Sequence, residues 1–244
     1  MTNYIYGLHA TKAAIGQQKI LRAFSLSQRQ DGKLQEILTA LKTAKVRIEP
    51  VDRATLDHLV NYENHQGIVL EVDVQQQYHE GDIEILLSKR DKPQVILVLD
   101  GVQDPHNLGA CLRSADALGV SLVLAPKDNA VGLTPVVRKI ACGAAETIPF
   151  IQVTNLARSM KKLQDLGFWF YGLAGDAEHN FFDADLNGNI ALVLGAEGKG
   201  LRQLTQKTCD VLYHIPMLGS VSSLNVSVAT GICLAEAMRQ RLVS

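Results

Sequence analysis

The chain has 244 residues, 47% of them hydrophobic and 20% charged, which excludes an intrinsically disordered protein and allows one large or two small domains. Its net charge of -1 excludes a uniformly basic surface, so a nucleic-acid partner would need a local concentration of Lys and Arg. The four cysteines form no C-x-x-C pair, so we predict reduced thiols in a cytoplasmic protein and no metal site. We expect neither a signal peptide nor a membrane span, because the apolar runs have the length of strands.

Residues 1–74 have the pattern of a small α/β domain. The segment from Tyr6 to Ile15 leads into a short helix, and residues 33–45 repeat apolar side chains at the period of an amphipathic helix. Strands are predicted at 23–26, 46–51 and 68–72. The domain's basic residues could contact phosphates or form an ordinary solvated surface: Lys12, Lys19, Arg22 and Arg29.

A polar stretch at residues 75–93 is assigned as a linker. From residue 94 to residue 244, apolar segments of strand length alternate with helical patterns, beginning with the continuous apolar run Val95–Leu99. Repeated β-α units predict an α/β domain with a parallel sheet covered by helices. In such sheets, ligands bind beyond the carboxyl ends of the strands.

Three loops at predicted strand ends combine small residues with polar ones: residues 100–113, 195–201 and 215–225. Each loop also has a purely structural interpretation. Asn107 could cap a helix, Arg113 could be a solvated helix charge, and Ser222 with Ser223 could form a serine-rich helix cap. The glycines of the second loop could form a plain turn, and their order matches neither a P-loop nor G-x-G-x-x-G.

Taken together, the three loops resemble the signature motifs of the SpoU/TrmH family of RNA ribose 2′-O-methyltransferases. The matching segments are DPHNLGACLRSADALG at 104–119, LVLGAEGKGL at 192–201 and IPMLGSVSSLNVSVATGICLAEA at 215–237. Near the N-terminus, YGLHATKAA at 6–14 and HQGIVLEV at 65–72 resemble the members that methylate a guanosine ribose in large-subunit (23S) ribosomal RNA. The resemblance extends over nearly the whole chain.

The resemblance implies a SPOUT-type parallel sheet with a C-terminal trefoil knot, preceded by a small ribosomal-protein-like RNA-binding domain at 1–74. It also implies a homodimer that uses S-adenosyl-L-methionine and no metal. Residues implied to line the cofactor pocket, mainly through backbone groups, are Gly195, Ile215 and Leu224. Residues implied to form the catalytic set are Asn107, Arg113, Glu197, Ser223 and Asn225.

Other functions remain open at this point. The enzyme could act on a transfer RNA or another RNA, although the family's tRNA enzymes generally lack the N-terminal domain. It could instead be a non-catalytic RNA-binding relative, but the presence of Asn107, Arg113 and Glu197 argues against this. A generic nucleotide-binding α/β enzyme is disfavoured, because the phosphate-loop motifs are missing.

Overall fold

The computed structural model describes residues 3–16, 20–26, 31–72, 78–88 and 92–243. Its strands are β1 (Asn3–Tyr6), β2 (Ile20–Leu26), β3 (Ile48–Val51), β4 (Ile68–Val72), β5 (Val95–Asp100), β6 (Leu122–Pro126), β7 (Phe150–Val153), β8 (Trp169–Leu173), β9 (His179–Asn180), β10 (Ile190–Gly195) and β11 (Val211–His214). Its α-helices are α1 (Leu8–Ala14), α2 (Gly32–Thr43), α3 (Arg53–Leu59), α4 (Ile83–Ser88), α5 (Pro105–Ala117), α6 (Pro135–Ala141), α7 (Ala144–Thr147), α8 (Leu156–Asp165), α9 (Gln203–Thr208) and α10 (Val226–Val243).

The first of two compact units contains the described residues of Met1–Gln77 together with Leu133–Thr147. Its sheet has the order β1-β4-β2-β3, with β2 and β3 parallel and the other pairings antiparallel. One sheet face is covered by the apolar stripe of α2, and the other face is covered by α3 through Leu56. The strand β1 and the four-residue α7 were not predicted, because neither carries a periodic pattern long enough to recognise.

Two of the four basic candidates, Lys12 and Arg22, lie in this unit, whereas Lys19 and Arg29 fall outside the described residues. The side chain of Lys12 is 70% exposed on α1. Arg22 pairs with Glu71, a buried carboxylate on the neighbouring strand β4. Lys12 also pairs with a carboxylate, Glu36 at 3.6 Å, but both of those side chains are exposed, so that pair is weak. Because the partner of Arg22 is buried, Arg22 is a weaker candidate for a phosphate contact than Lys12.

The second compact unit contains the described residues of Tyr78–Gly132 and Ile148–Ser244. Its seven strands have the order β7-β6-β5-β10-β8-β11-β9, and every recorded pairing is parallel. The predicted parallel α/β sheet is therefore confirmed. Every residue of β5 is buried, as the continuous apolar run indicated. The two-residue strand β9 at the sheet edge was not predicted, because it is too short to carry an apolar pattern.

The two sides of this sheet are covered by different helices. α8 packs on the side of Ile96 and Val98 through Met160 and Leu163. α5 and α10 pack against each other, and α10 also packs against β10. Among the described residues, no helix is long and apolar enough to span a bilayer.

The last helix, α10, is held at its far end by Arg241. The guanidinium donates to the backbone oxygens of Leu186 at 2.8 Å and Pro93 at 2.9 Å, next to the starts of β10 and β5. It also donates to the backbone oxygen of Gly188 at 2.5 Å. These contacts fasten the end of α10 to the amino edge of the sheet, while its start lies at the carboxyl edge.

Candidate active site

The carboxyl ends of β5 and β10 mark a branch point in the chain path. After β5 the chain continues to β6 on one side of the pair, and after β10 it continues to β11 on the other side. Ligands of open parallel sheets bind at such points, where successive connections diverge. The three loops identified from the sequence follow β5, β10 and β11, so all of them begin at this edge.

Asn225 caps the last helix. Its backbone oxygen accepts a hydrogen bond from the N–H of Ala229 at 3.0 Å. Its side-chain oxygen Oδ1 accepts from the N–H of Ser227 at 2.9 Å and from the Ser227 hydroxyl at 2.6 Å. This is the geometry of a helix N-cap, so the capping role considered for the serines belongs to Asn225.

The same Asn225 amide also joins all three loops. Its Nδ2 donates to Oδ1 of Asn107 at 2.9 Å and to Oε2 of Glu197 at 3.2 Å. An amide nitrogen carries two hydrogens, and both are used here. The cap orients the amide, and the amide in turn positions one side chain from each of the other two loops.

Asn107 lies inside α5 and does not cap it. The cap is Asp104, whose Oδ1 accepts from the N–H of His106 at 3.0 Å, and Pro105 occupies the first helical position. The capping alternative for Asn107 is therefore wrong. Because Asn107 uses its oxygen toward Asn225, its NH2 group is left to donate to a ligand.

The second loop folds tightly back on itself. Ala196 and Gly200 form an isolated bridge, and the Gly200 N–H donates to the Ala196 oxygen at 2.9 Å. A Cβ built on Gly195 would lie 2.1 Å from the Gly200 carbonyl carbon and 2.4 Å from the Leu201 nitrogen. Only glycine fits at position 195 without moving the loop backbone.

The loop is anchored by a pair that the sequence did not indicate. Asp100, at the end of β5 and 1% exposed, accepts the backbone N–H of Arg202 at 2.9 Å. Its other carboxylate oxygen accepts the Arg202 Nε–H at 2.6 Å. The two residues are 102 positions apart in the sequence, so no local pattern could have paired them. The pair fixes the end of the loop that carries Glu197.

We expect Asp100→Asn to weaken, by about 10-fold, the S-adenosylmethionine binding and methyl transfer that the family resemblance implies, since each hydrogen bond to a charged group contributes about 1.5–3 kcal/mol. The lower end applies because the Arg202 side chain is 47% exposed and can be rehydrated. Isothermal titration with S-adenosylmethionine and a methyl-transfer assay measure the two effects. The exposed Asp128→Asn is the matched control, and equal values for both variants would contradict the anchoring role.

The remaining predicted site residues lie on α5 and on the third loop: Arg113, Ile215, Ser223 and Leu224. Arg113 is exposed on α5, about 9 Å along the helix axis beyond Asn107. Six residues also turn the helix by about 600°, so the side chains of Arg113 and Asn107 start from faces of α5 about 120° apart. Ser223 is exposed on the third loop, and the half-buried Leu224 and Ile215 lie at its two ends.

Cys111 and Cys209 do not supply a nucleophile to this edge. Burial raises the pKa of Cys111 to about 11 and that of Cys209 to about 12, so both remain protonated thiols near neutral pH. Cys111 contacts Thr230 between α5 and α10, with 3.4 Å between Sγ and Oγ1. In the described part of the chain, no group of three or more His, Cys, Asp or Glu side chains could hold a metal ion.

Comparison with known proteins identifies the family. Residues 94–235 match the SpoU rRNA Methylase family. The chain belongs to the SpoU rRNA methylase family. Residues 4–78 match the family described as RNA 2'-O ribose methyltransferase substrate binding. The resemblance of the three loops and of the N-terminal segments is thereby confirmed.

Individual SpoU proteins agree with this assignment. The 23S rRNA (guanosine-2'-O-)-methyltransferase RlmB of Vibrio parahaemolyticus is 52% identical over 243 residues, covering 99% of this chain and 98% of that protein. The SpoU methyltransferase AviRb from Streptomyces viridochromogenes, solved with AdoMet, has a TM-score of 0.82 at 23% identity and supports the fold alone, covering 99% of this chain and 91% of AviRb. The A. aeolicus TrmH/SpoU tRNA modifying enzyme is 30% identical with a TM-score of 0.56, covering 67% of this chain and 84% of that chain.

Proposed function

We propose that this protein transfers a methyl group from S-adenosylmethionine to the 2′-hydroxyl of a guanosine ribose in 23S ribosomal RNA. The observation that carries the proposal is the Asn225 amide, which holds Asn107 and Glu197 together at the carboxyl edge of the sheet. A SpoU protein with this activity is 52% identical along nearly the full chain. Methyl transfer requires positioned polar groups and no protein nucleophile, which agrees with the buried, protonated thiols.

The second and third loops would hold the cofactor. Gly195 lets the second loop close tightly, so backbone groups of that loop can approach a ligand. Ile215 and Leu224 flank the third loop and supply half-buried apolar surface suited to an adenosine. The bound cofactor supplies an electrophilic methyl group on a sulfonium. Gly195, Ile215 and Leu224 are therefore proposed as its binding residues.

The chain's own polar residues would position the ribose. A guanidinium is a planar group of N–H donors with no acceptor, so we assign Arg113 to binding the target phosphate and stabilising negative charge that develops on the 2′-oxygen. Glu197 and Asn107 orient the Arg113 guanidinium and the RNA by charge and hydrogen bonding. Asn225 holds both of these side chains, and Ser223 with Asn225 orders the loop over the cofactor.

A transfer RNA substrate is the alternative. The A. aeolicus tRNA modifying enzyme aligns with only part of this chain, whereas the RlmB relative aligns along 99% of it. Residues 4–78 add a substrate-binding match. Both observations favour ribosomal RNA.

We also propose the domain division that the sequence predicts, with a substrate-binding domain at 1–74, a linker at 75–93 and a methyltransferase domain at 94–244. The proposal includes a C-terminal trefoil knot and a cytoplasmic location.

Mapping of 2′-O-methylation in ribosomal RNA tests the proposed function. A strain that lacks the gene should lose one methylated guanosine from 23S RNA and regain it when the wild-type gene is returned. If the strain instead loses a transfer RNA methyl group and keeps every 23S methyl group, the substrate is transfer RNA and the proposed substrate is wrong. Complementation with Asn225→Ala should restore little methylation, because both loop contacts are lost.

A homodimer is supported by an apolar stripe on the outer side of α10. The stripe recurs at helical spacing, and its more exposed members are Val228 at 50%, Met238 at 38% and Leu242 at 75%. It begins next to the Asn225 cap, so a second copy seated on it would lie beside the proposed active site. A self-complementary contact of this kind is usual for two-fold dimers.

We expect the wild-type protein to have twice the 26.6 kDa chain mass in solution. The double substitution Met238→Glu and Leu242→Glu should yield a monomer, because burying two carboxylates at the contact is costly. Light scattering after size-exclusion chromatography measures the mass. Leu166→Glu, an exposed apolar residue after α8, is the matched control and should leave the mass unchanged. A monomeric wild-type protein would contradict the dimer.

A further inference from the structure

The loop between α3 and β4, residues 60–67, displays an aromatic side chain on an unusual backbone. Asn61, Tyr62 and Gln66 have φ angles of 50°, 64° and 53°. Positive φ is uncommon outside glycine and is an outlier for a bulky residue such as Tyr62. The Tyr62 N–H donates to the backbone oxygen of Asp57 at 2.7 Å, which holds this conformation at the end of α3.

The base of the loop is anchored from two directions. His65 is 5% exposed, with its Nε2 lying 3.1 Å from Oδ1 of Asp57 and its Nδ1 accepting the Gly67 N–H at 3.0 Å. Gln66 Oε1 accepts the Leu8 N–H at 2.9 Å, which ties the loop to the start of α1. The loop is therefore fixed in place, and a side chain at its tip has a defined direction.

The Tyr62 ring is supported on one side and open on the other. Tyr62 is 72% exposed, which is more than any other Phe, Tyr or Trp among the described residues. The His58 ring packs against it in an edge-to-face contact, with 5.4 Å between centroids and 61° between planes. A ring held this way offers an aromatic face to solvent with little entropy left to lose on binding.

Two lysines lie on segments that contact this loop. Glu63, the next residue, pairs with Lys139 of α6 at 3.0 Å, and both of these side chains are about 40% exposed. Lys12 lies on α1, the helix that Gln66 contacts, and it pairs with Glu36 at 3.6 Å, with both side chains 70% exposed. Exposed pairs of this kind contribute little, so an RNA phosphate can replace either carboxylate. An exposed aromatic face on a loop that contacts two lysine-bearing segments suits an unpaired nucleotide, whose base stacks on the ring while its phosphates meet the cations.

We propose that Tyr62 is a stacking platform for one unpaired base of the RNA substrate, with Lys139 and Lys12 beside the adjoining phosphates. This inference rests on the proposed function, since it takes its ligand to be the RNA that the enzyme methylates. The family match of residues 4–78 to a substrate-binding domain supports RNA over a protein partner. Tyr62 is thus a substrate-binding residue outside the catalytic set.

Substitution of Tyr62 tests the platform through RNA binding. We expect Tyr62→Ala to raise the Kd for protein-free 23S ribosomal RNA, and the KM for methylation, by about 5- to 100-fold. Tyr62→Phe keeps the ring and should remain within about 2-fold of wild type. Phe182→Ala removes another exposed aromatic residue and should change neither value. The kcat and the affinity for S-adenosylmethionine should not change in any of the three variants.

A fluorescence titration detects the stacking itself. Trp169 is the only tryptophan, so Tyr62→Trp combined with Trp169→Phe leaves one indole at the loop tip. Addition of 23S RNA should quench its emission with saturation at the Kd measured independently. Unchanged emission, while the same variant binds RNA, would overturn the platform.

The stacking platform and the proposed function can be tested separately, because different results would contradict each of them. If wild-type enzyme methylates 23S RNA and Tyr62→Ala matches it in both Kd and KM, the platform is wrong and the proposed function stands. If wild type does not methylate 23S RNA, the proposed function is wrong. Saturable quenching by that RNA would then still support a stacking site.

Discussion

Gly195→Ala should strongly weaken the binding of S-adenosylmethionine. The added Cβ would lie 2.1 Å from the Gly200 carbonyl carbon and 2.2 Å from its oxygen, and neither atom belongs to a flexible side chain that could swing away. The loop must therefore open, which moves Glu197 from Asn225. Overpacking of this kind costs about 1–3 kcal/mol or more, so we expect the cofactor Kd to rise by at least about 10- to 100-fold.

The measurement is a cofactor titration paired with an RNA-binding assay on the same variant. RNA affinity should persist, because the clash is confined to the second loop of the second unit. Gly188→Ala is the matched control, since its Cβ would meet no atom within 4 Å. Retention of wild-type cofactor affinity by Gly195→Ala would mean that the loop can relax without loss, and Gly195 would not be a binding determinant.

Arg113→Lys should lower kcat by about 100- to 1000-fold, the usual effect of removing one donor that stabilises a developing oxyanion. Lysine keeps the positive charge but not the planar fork that can contact a phosphate and the ribose oxygen together. The affinity for S-adenosylmethionine should be unchanged, because Arg113 is assigned to the RNA. Single-turnover methyl transfer at saturating RNA separates this effect from weaker binding.

Arg158→Lys provides the control for this substitution. Arg158 is an exposed arginine of the same unit, and it pairs with Glu80 at 3.5 Å on the surface. Such a pair contributes little, so this variant should turn over like wild type. Near wild-type turnover by Arg113→Lys would reject both the phosphate-binding and the charge-stabilising roles.

Much of the fold follows from local pattern. The continuous apolar runs at Val95–Leu99 and Ile190–Leu194 are typical of strands buried on both faces, and both became central strands. Alternation of strands with helices predicted the parallel sheet, and the rule for such sheets placed the three polar loops at one edge. These features depend on residues close in sequence, which is why they can be predicted without coordinates.

The remaining features depend on contacts between residues that are distant in sequence. From its sequence, the stretch before α10 could be either a helix cap or part of a functional site. The side chain of Asn225 has both roles: its Oδ1 caps the helix, and its Nδ2 donates to Asn107 and Glu197. The Asp100–Arg202 anchor and the grouping of Leu133–Thr147 with the first unit have the same origin. A hydrogen bond depends on where folding brings two atoms, and a single sequence records only what each residue could donate or accept.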